Sequence, residues 1–149
     1  MDMVDTERYA RHISLPDVGM PGQKLIDDSR VLVVGAGGLG SPVLMYLAAA
    51  GIGHIGVVDD DAVDLSNLQR QIIHSESAIG RPKVESAKER INSINSAIKV
   101  TTWNARLSPD NAEEILCEWD IVIDGTDNIP TRYLVCLLYT SPSPRDPTK

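Results

Sequence analysis

The sequence is poor in the residues that staple or metallate small proteins. Its two cysteines, Cys117 and Cys136, form no C-x-x-C pair, which offers no zinc site of the usual spacing and suits a reducing cytoplasm. The three histidines, His12, His54 and His74, have no partner spacing for metal or triad chemistry, and surface or core-edge positions are expected of them. No nucleophile–base pair is visible. Long apolar runs are missing too: none reaches transmembrane length, and the opening MDMVDTERYARHI is no signal peptide. A cytoplasmic chain without a membrane partner is the expectation. Positive charge is the minority, 14 Lys and Arg against 21 Asp and Glu, for a formal net charge of −7. That balance argues against a nucleic-acid partner. A polyanionic ligand would have to be held by a local basic cluster.

What is present is an alternation of strand and helix patterns. The chain has 149 residues, 42% hydrophobic and 23% charged, enough for one domain with a core. VLVV at 31–34 is a β-branched run without polar alternation, as in a strand buried on both faces of a parallel sheet. A helix apolar nearly all round is expected from about Gly38 to Ala50, stopped by Gly51. HIGVVDDD reads as a second strand ending in acids. RPKVESAKERINSIN reads as a helix with Pro82 at its first position and Val84, Ala87, Ile91 and Ile94 on one face. IKVTTW is a third strand, SPDNAEEILCEW a short helix with Ser108 as its cap and Cys117 in the core, and DIVIDGTDN a fourth strand. Trp103 and Trp119 read as packing residues. Ahead of the first strand, residues 5–29 read as a short amphipathic helix, DTERYARHI, and a loop holding Pro16, Gly19, Pro21 and Gly22. The fold class is therefore α/β, Rossmann-like and doubly wound, with a mainly parallel sheet.

Ligands in such folds sit beyond the carboxyl ends of the strands. Three stretches fall there. Gly35, Gly37 and Gly40 form G-x-G-x-x-G with Gly38 between them, a turn that lets a phosphate approach the backbone at a helix N-terminus. A tight β–α turn without a ligand would look the same. Asp59 ends the second strand where a carboxylate meets ribose hydroxyls, which does not separate NAD from ATP; Asp60 and Asp64 read as solvated, and Asp61 stays a nucleotide candidate. The segment DLSNLQRQIIH is more discriminating. Ser66 would cap a turn carrying Asn67, Arg70 and Gln71, and Lys83 follows at the next helix start, where a cation opposes the helix dipole unless an anion is present. Arg offers a rigid fork for phosphate oxygens. Arg8 and Arg11 add basic charge in the first helix. After the fourth strand, Asp127 suits Mg²⁺ held by a carboxylate and substrate phosphates. Asn128 lies beside it, and Asp124 either supports that site or bonds the turn.

Together, RYARHI, SRVLVVGAGGLGSP, AAGIGHIGVVDDDAVDLSNLQRQ, GRPKVESA and DGTDN resemble, in order, the MoeB/ThiF-type adenylyltransferases, relatives of the ubiquitin-activating enzymes. The resemblance covers roughly residues 6–135. It implies an ATP- and Mg²⁺-dependent enzyme that adenylates the C-terminal Gly-Gly carboxylate of a ubiquitin-like sulfur-carrier protein, of molybdopterin or thiamine type, and releases pyrophosphate; a sulfur donor then acts on the acyl-adenylate. It implies that Gly35, Gly37, Gly38 and Gly40 line the phosphates and Asp59 binds ribose. Asn67, Arg70 and Lys83 would grip the phosphates, with Gln71, Asp61 and Asn128 nearby, and Asp127 would hold Mg²⁺. Arg11 would reach the ATP site of the partner subunit of a homodimer. Alternatives that share part of this pattern are an NAD-dependent oxidoreductase, a related tRNA-modifying dehydratase and an inactive nucleotide-binding fragment.

The last segment departs from the rest. CLLYTSPSPRDPTK, residues 136–149, has no helical or strand period, and residues 136–146 are what one frame of a transposon-tagmentation sequencing adapter encodes. The expected division is an ATP-binding part over 1–135 and an artefactual tail over 136–149. The family's further strands, carrier-binding surface and zinc-binding cysteines would then lie in a missing C-terminal part, leaving the sheet incomplete there.

Overall fold

A computed structural model describes residues 4–126. Four parallel strands, β1 (Arg30–Val34), β2 (His54–Val58), β3 (Lys99–Trp103) and β4 (Ile121–Asp124), stand in the order β3-β2-β1-β4. Val34 is level with Val58 on one side and with Asp124 on the other. Alternate side chains of β1 face opposite ways: Val31 and Val33 enter one apolar cluster, Leu32 and Val34 another, as the two-residue period of a strand requires. The first cluster lies under α3 (Gly40–Ala50) and α4 (Lys83–Ile94), through Leu44, Ala48, Val84, Ala87 and Ile91. The second lies under α5 (Ala112–Leu116) and includes Ile115, Leu116 and Trp119. Each fully buried Val, Leu or Ile contributes roughly 1.5–3 kcal/mol over an exposed one. Helices therefore cover both faces, and the order of connection reverses between β1 and β4. This is a doubly wound α/β fold of Rossmann type, whose switch point lies at the carboxyl ends of those two strands.

The four strands and the apolar face of α4 stand where their patterns put them, and Gly51, at φ +91°, ends α3 with its N–H on the Leu47 and Ala48 carbonyls. Several local readings need correction. The first helix, α1, is only Ala10–Ile13, and the stretch read as a loop contains α2 (Gly19–Asp28). Pro21 sits in the first turn of α2, where a missing N–H costs nothing. α3 is not buried all round: Leu44 is fully buried but Tyr46 is 77% exposed. Pro82 precedes α4 rather than opening it. Asn111, not Ser108, precedes α5, and its Oδ1 accepts the Ser108 N–H. Cys117, just past the end of α5, is exposed rather than in the core. Trp119 is buried, donates its indole N–H to the Ile115 carbonyl and meets Trp103 edge-on, as packing residues do.

Candidate functional site

Beyond the carboxyl ends of β1, β2 and β4 lies a cavity of about 690 Å³, within the size range of small-molecule sites. Its floor is the turn between β1 and α3. Gly35 turns at φ +99°, and Gly40 packs so close behind it that a Cβ there would stand 1.9 Å from the Gly35 carbonyl oxygen. Only glycine permits that approach. The N–H groups of Gly37 and Gly38 make no hydrogen bond among the described residues. Both glycines line the cavity just before the start of a helix, where backbone donors left unbonded favour an anion.

Asp59 leaves β2 and holds this turn from the side. Its Oδ2 accepts the Ala36 N–H at 2.8 Å and its Oδ1 accepts the Asp61 N–H at 2.8 Å. The expected ribose ligand is thus also a brace for the glycine turn, with one lone pair on each oxygen remaining. Asp60 and Asp61 are exposed at the mouth, and the three carboxylates can bring oxygens within 4.8 Å of one another.

The opposite wall comes from the chain between β2 and α4. Asp64, not Ser66, caps its 3-10 turn Leu65–Asn67: the Asp64 carboxylate accepts the Ser66 N–H, and Asn67 Oδ1 accepts the Asp64 N–H. The Ser66 N–H and hydroxyl hold the Asp64 carboxyl below its ordinary range. Asn67 closes this turn and does not line the cavity. Arg70 and Gln71 do line it. The Arg70 side chain lies over Gly38, its Cδ 3.7 Å from where a Cβ would stand, and Gln71 Nε2 is 3.6 Å from the same point at Gly37. Gln71 is buried, and its Oε1 has no hydrogen-bond partner among the described residues. Lys83, the first residue of α4, is 6% exposed, and its Nζ lies 3.6 Å from Asp61 Oδ2. A cation so buried beside one exposed carboxylate leaves room for a stronger anionic partner.

The loop after β3 adds Ala105, Arg106 and Leu107 to the rim, residues that belong to no motif read from the sequence. Gly125 and Thr126 close the side next to β4. Asp124 Oδ1 accepts the Thr126 N–H and hydroxyl, one of the two roles its position allowed. Asp127 and Asn128 lie outside the described residues, as do the rest of 127–135 and the 136–149 segment.

Two expectations change outright. Arg8 donates to the Ile94 carbonyl and pairs with Asp5, away from the cavity. His74 is neither at the surface nor at the core edge. It is buried, with Nδ1 2.7 Å from Ser86 Oγ and Nε2 2.8 Å from the Ala36 carbonyl oxygen. Burial holds the imidazole below its ordinary pKa, and nearby Lys83 adds to this. Its partner is 38 positions away in the chain, so no local spacing exposed it. Arg11 is exposed on α1 and does not line this cavity. The helix is held toward the far end of α3, where His12 bonds Gln23, whose amide donates to the Ala50 carbonyl.

Comparison with known proteins agrees with this geometry. The ThiF family matches residues 9–140. The chain is 54% identical over 138 residues to the adenylyltransferase and sulfurtransferase MOCS3-2 of Zea mays, covering 91% of this chain and 29% of that protein. It is 47% identical over 135 residues to the SAMP-activating enzyme E1 of Haloferax volcanii, covering 91% of this chain and 50% of that one. Among solved structures, the E. coli tRNA N6-threonylcarbamoyladenosine dehydratase TcdA in complex with ATP superposes with a TM-score of 0.85 at 31% identity, over 93% of this chain and 58% of that one. The chain thus spans between about a third and a half of the length of these curated relatives.

Proposed function

The chain belongs to the ThiF family, and from that premise we propose that it carries the ATP-binding part of an enzyme that adenylates the C-terminal Gly-Gly carboxylate of a ubiquitin-like sulfur-carrier protein. The observation that carries this reading is the convergence, on one cavity, of the Gly37 and Gly38 amides, unbonded among the described residues, Arg70 and the buried ammonium of Lys83. A dehydrogenase needs the glycine turn and Asp59 but has no use for these two cations; a triphosphate does. The relatives named for adenylyl transfer and for SAMP activation point the same way.

In the proposed reaction an oxygen of the carrier carboxylate bonds to the α-phosphorus of ATP, the bond to the bridging α–β oxygen breaks, and pyrophosphate leaves. Both reactants are anions, so positioning and charge neutralisation supply the catalysis. The glycine amides hold phosphate oxygens, Lys83 and Arg70 neutralise the polyphosphate, and Asp59 receives the ribose while bracing the turn. Mg²⁺, when bound, would screen the departing pyrophosphate, with Asp127 as the carboxylate expected to hold it. The position of Arg11 off its own cavity supports a role in the site of a second subunit, in a homodimer. A sulfur donor would convert the acyl-adenylate to a thiocarboxylate in molybdopterin or thiamine synthesis, in the cytoplasm.

ATP–pyrophosphate exchange in the presence of a Gly-Gly-ended carrier tests the reading. In the complete enzyme, Arg70→Ala or Asp127→Ala is expected to abolish exchange, and normal exchange in both variants would refute the assignment. A second reading, a dehydratase acting on a modified tRNA, draws on the superposition with TcdA. It shares the ATP step and predicts exchange dependent on that tRNA instead of on a carrier.

A further inference from the structure

The adenylation reading leaves His74 without a task, yet His74 touches the turn that the reading depends on. Ala36 is fully buried and both of its backbone polar groups are engaged. Its N–H donates to Asp59 Oδ2, and its carbonyl faces His74 Nε2 at 2.8 Å. A carbonyl oxygen only accepts, so Nε2 carries the ring proton. In the neutral ring Nδ1 is then an acceptor, and it takes the hydroxyl proton of Ser86, 2.7 Å away. Ser86 lies on α4 three residues beyond Lys83, almost one turn along the same helix.

A trans peptide is planar, so the carbonyl of one residue and the N–H of the next point in opposite directions. His74 draws the Ala36 carbonyl toward the interior. The Gly37 N–H is thereby turned the other way, on the residue that lines the cavity, and it is one of the two unpaired donors there. We propose that His74 is a positioning residue that aims the Gly37 amide at a phosphate oxygen of the bound nucleotide, with Ser86 fixing its tautomer and tying the glycine turn to the helix that carries Lys83. The proposal rests on the ATP reading and extends it to a residue that touches no ligand. Two charged groups face the ring from the elements around it, Lys83 disfavouring and Asp59 favouring its protonation, and burial adds to the effect of Lys83.

The test compares three ligands: ATP, inorganic tripolyphosphate and adenosine. Loss of one aimed donor weakens a phosphate contact and leaves the base and ribose contacts alone. His74→Leu is expected to bind ATP and tripolyphosphate about tenfold more weakly, the size of one hydrogen bond, with adenosine affinity unchanged. His74→Gln, whose amide nitrogen can still donate to the Ala36 carbonyl, is expected to recover most of the loss. A purely structural role would weaken adenosine equally and would gain nothing from the glutamine. ATP binding by the wild type with no effect of His74→Leu on either phosphate ligand overturns this inference alone. No ATP binding by the wild type overturns both readings. Should His74→Leu fail to fold, the ¹⁵N spectrum of the wild-type ring decides: protonation at Nε2 is expected, and protonation at Nδ1 refutes the proposal.

Discussion

Both ends of the sheet are polar, and they use polarity in opposite ways. At the amino ends of the strands the Arg30 N–H donates to Asp120 Oδ2 and its guanidinium pairs with the same carboxylate across partly exposed surface, while His54 bonds Thr101 Oγ1 at 2.7 Å. Donors and acceptors meet there. At the carboxyl ends, Lys83 is buried against the exposed Asp61 carboxylate, and among the described residues Gln71 Oε1 and the Gly37 and Gly38 amides have no partner. Buried polar groups left short of partners cost stability. A sequence that tolerates this cost at one end only has reserved that end for a ligand.

The sharpest way to break the comparison is to crowd each end in turn. A Cβ at Gly40 would stand 1.9 Å from the Gly35 carbonyl oxygen, and one at Gly53 would stand 1.8 Å from the Asp27 carbonyl oxygen. Gly40→Ala and Gly53→Ala are each expected to lose on the order of 3 kcal/mol in denaturant unfolding. Below its melting temperature, folded Gly53→Ala is expected to retain ATP affinity, whereas Gly40→Ala is expected to lose it. Gly38→Ala, whose Cβ would meet only the Arg70 side chain at 3.7 Å, is the tolerated control for stability.

Lys83→Met comes next. Removing a buried cation whose partner is an exposed Asp61 is expected to leave stability unchanged or slightly higher, while ATP affinity falls by about one to two orders of magnitude through loss of a charge-assisted phosphate contact. Calorimetric titration and denaturant unfolding separate the two effects. A variant that loses stability and keeps ATP affinity would make Lys83 a structural ion.

Two histidines, the half-buried His54 and the buried His74, give a pH comparison, one at each end. Burial holds both below the ordinary value of 6.5, with Lys99 and Arg30 adding to the effect at His54 and Lys83 at His74. The unfolded chain therefore binds the proton first as pH falls, and the stability these rings contribute is full above about pH 6.5 and is lost progressively below it. His54→Gln and His74→Gln are each expected to flatten that acid-side slope in thermal melts. At the amino end, His54→Gln is expected to leave ATP affinity unchanged. The smallest effect is expected from Arg30→Ala, which removes a partly exposed pair worth roughly 0–1 kcal/mol and leaves nucleotide affinity as it was.

Much of this was legible from the sequence because its determinants are local. The VLVV run, the spacing of Val84, Ala87 and Ile91, and Gly51 as a stop are each written within one element, and each stands where the pattern put it. Arg70 and Lys83 line the same cavity as the glycine turn. What was missed depends on the chain meeting itself. Pro21 and the flanking glycines looked like a loop because proline in a first helical turn carries no sign of which side of it the helix lies. Ser66 lost its capping role to Asp64, an equally good cap two residues away, and Asn111 rather than Ser108 stands before α5, without a side-chain cap bond. Cys117 looked apolar in pattern but follows the last turn of α5 and faces out. His74 is defined by Ala36 and Ser86, a pairing that no window along the sequence contains.

On the proposed function, the carboxyl end of this sheet is built for a nucleoside triphosphate and not for a dinucleotide. Calorimetric titration of the same protein with ATP–Mg²⁺ and with NAD tests it most directly. ATP–Mg²⁺ is expected to bind at least about thirtyfold more tightly than NAD, a difference of roughly 2 kcal/mol. Equal affinities, or tighter binding of NAD, would contradict it.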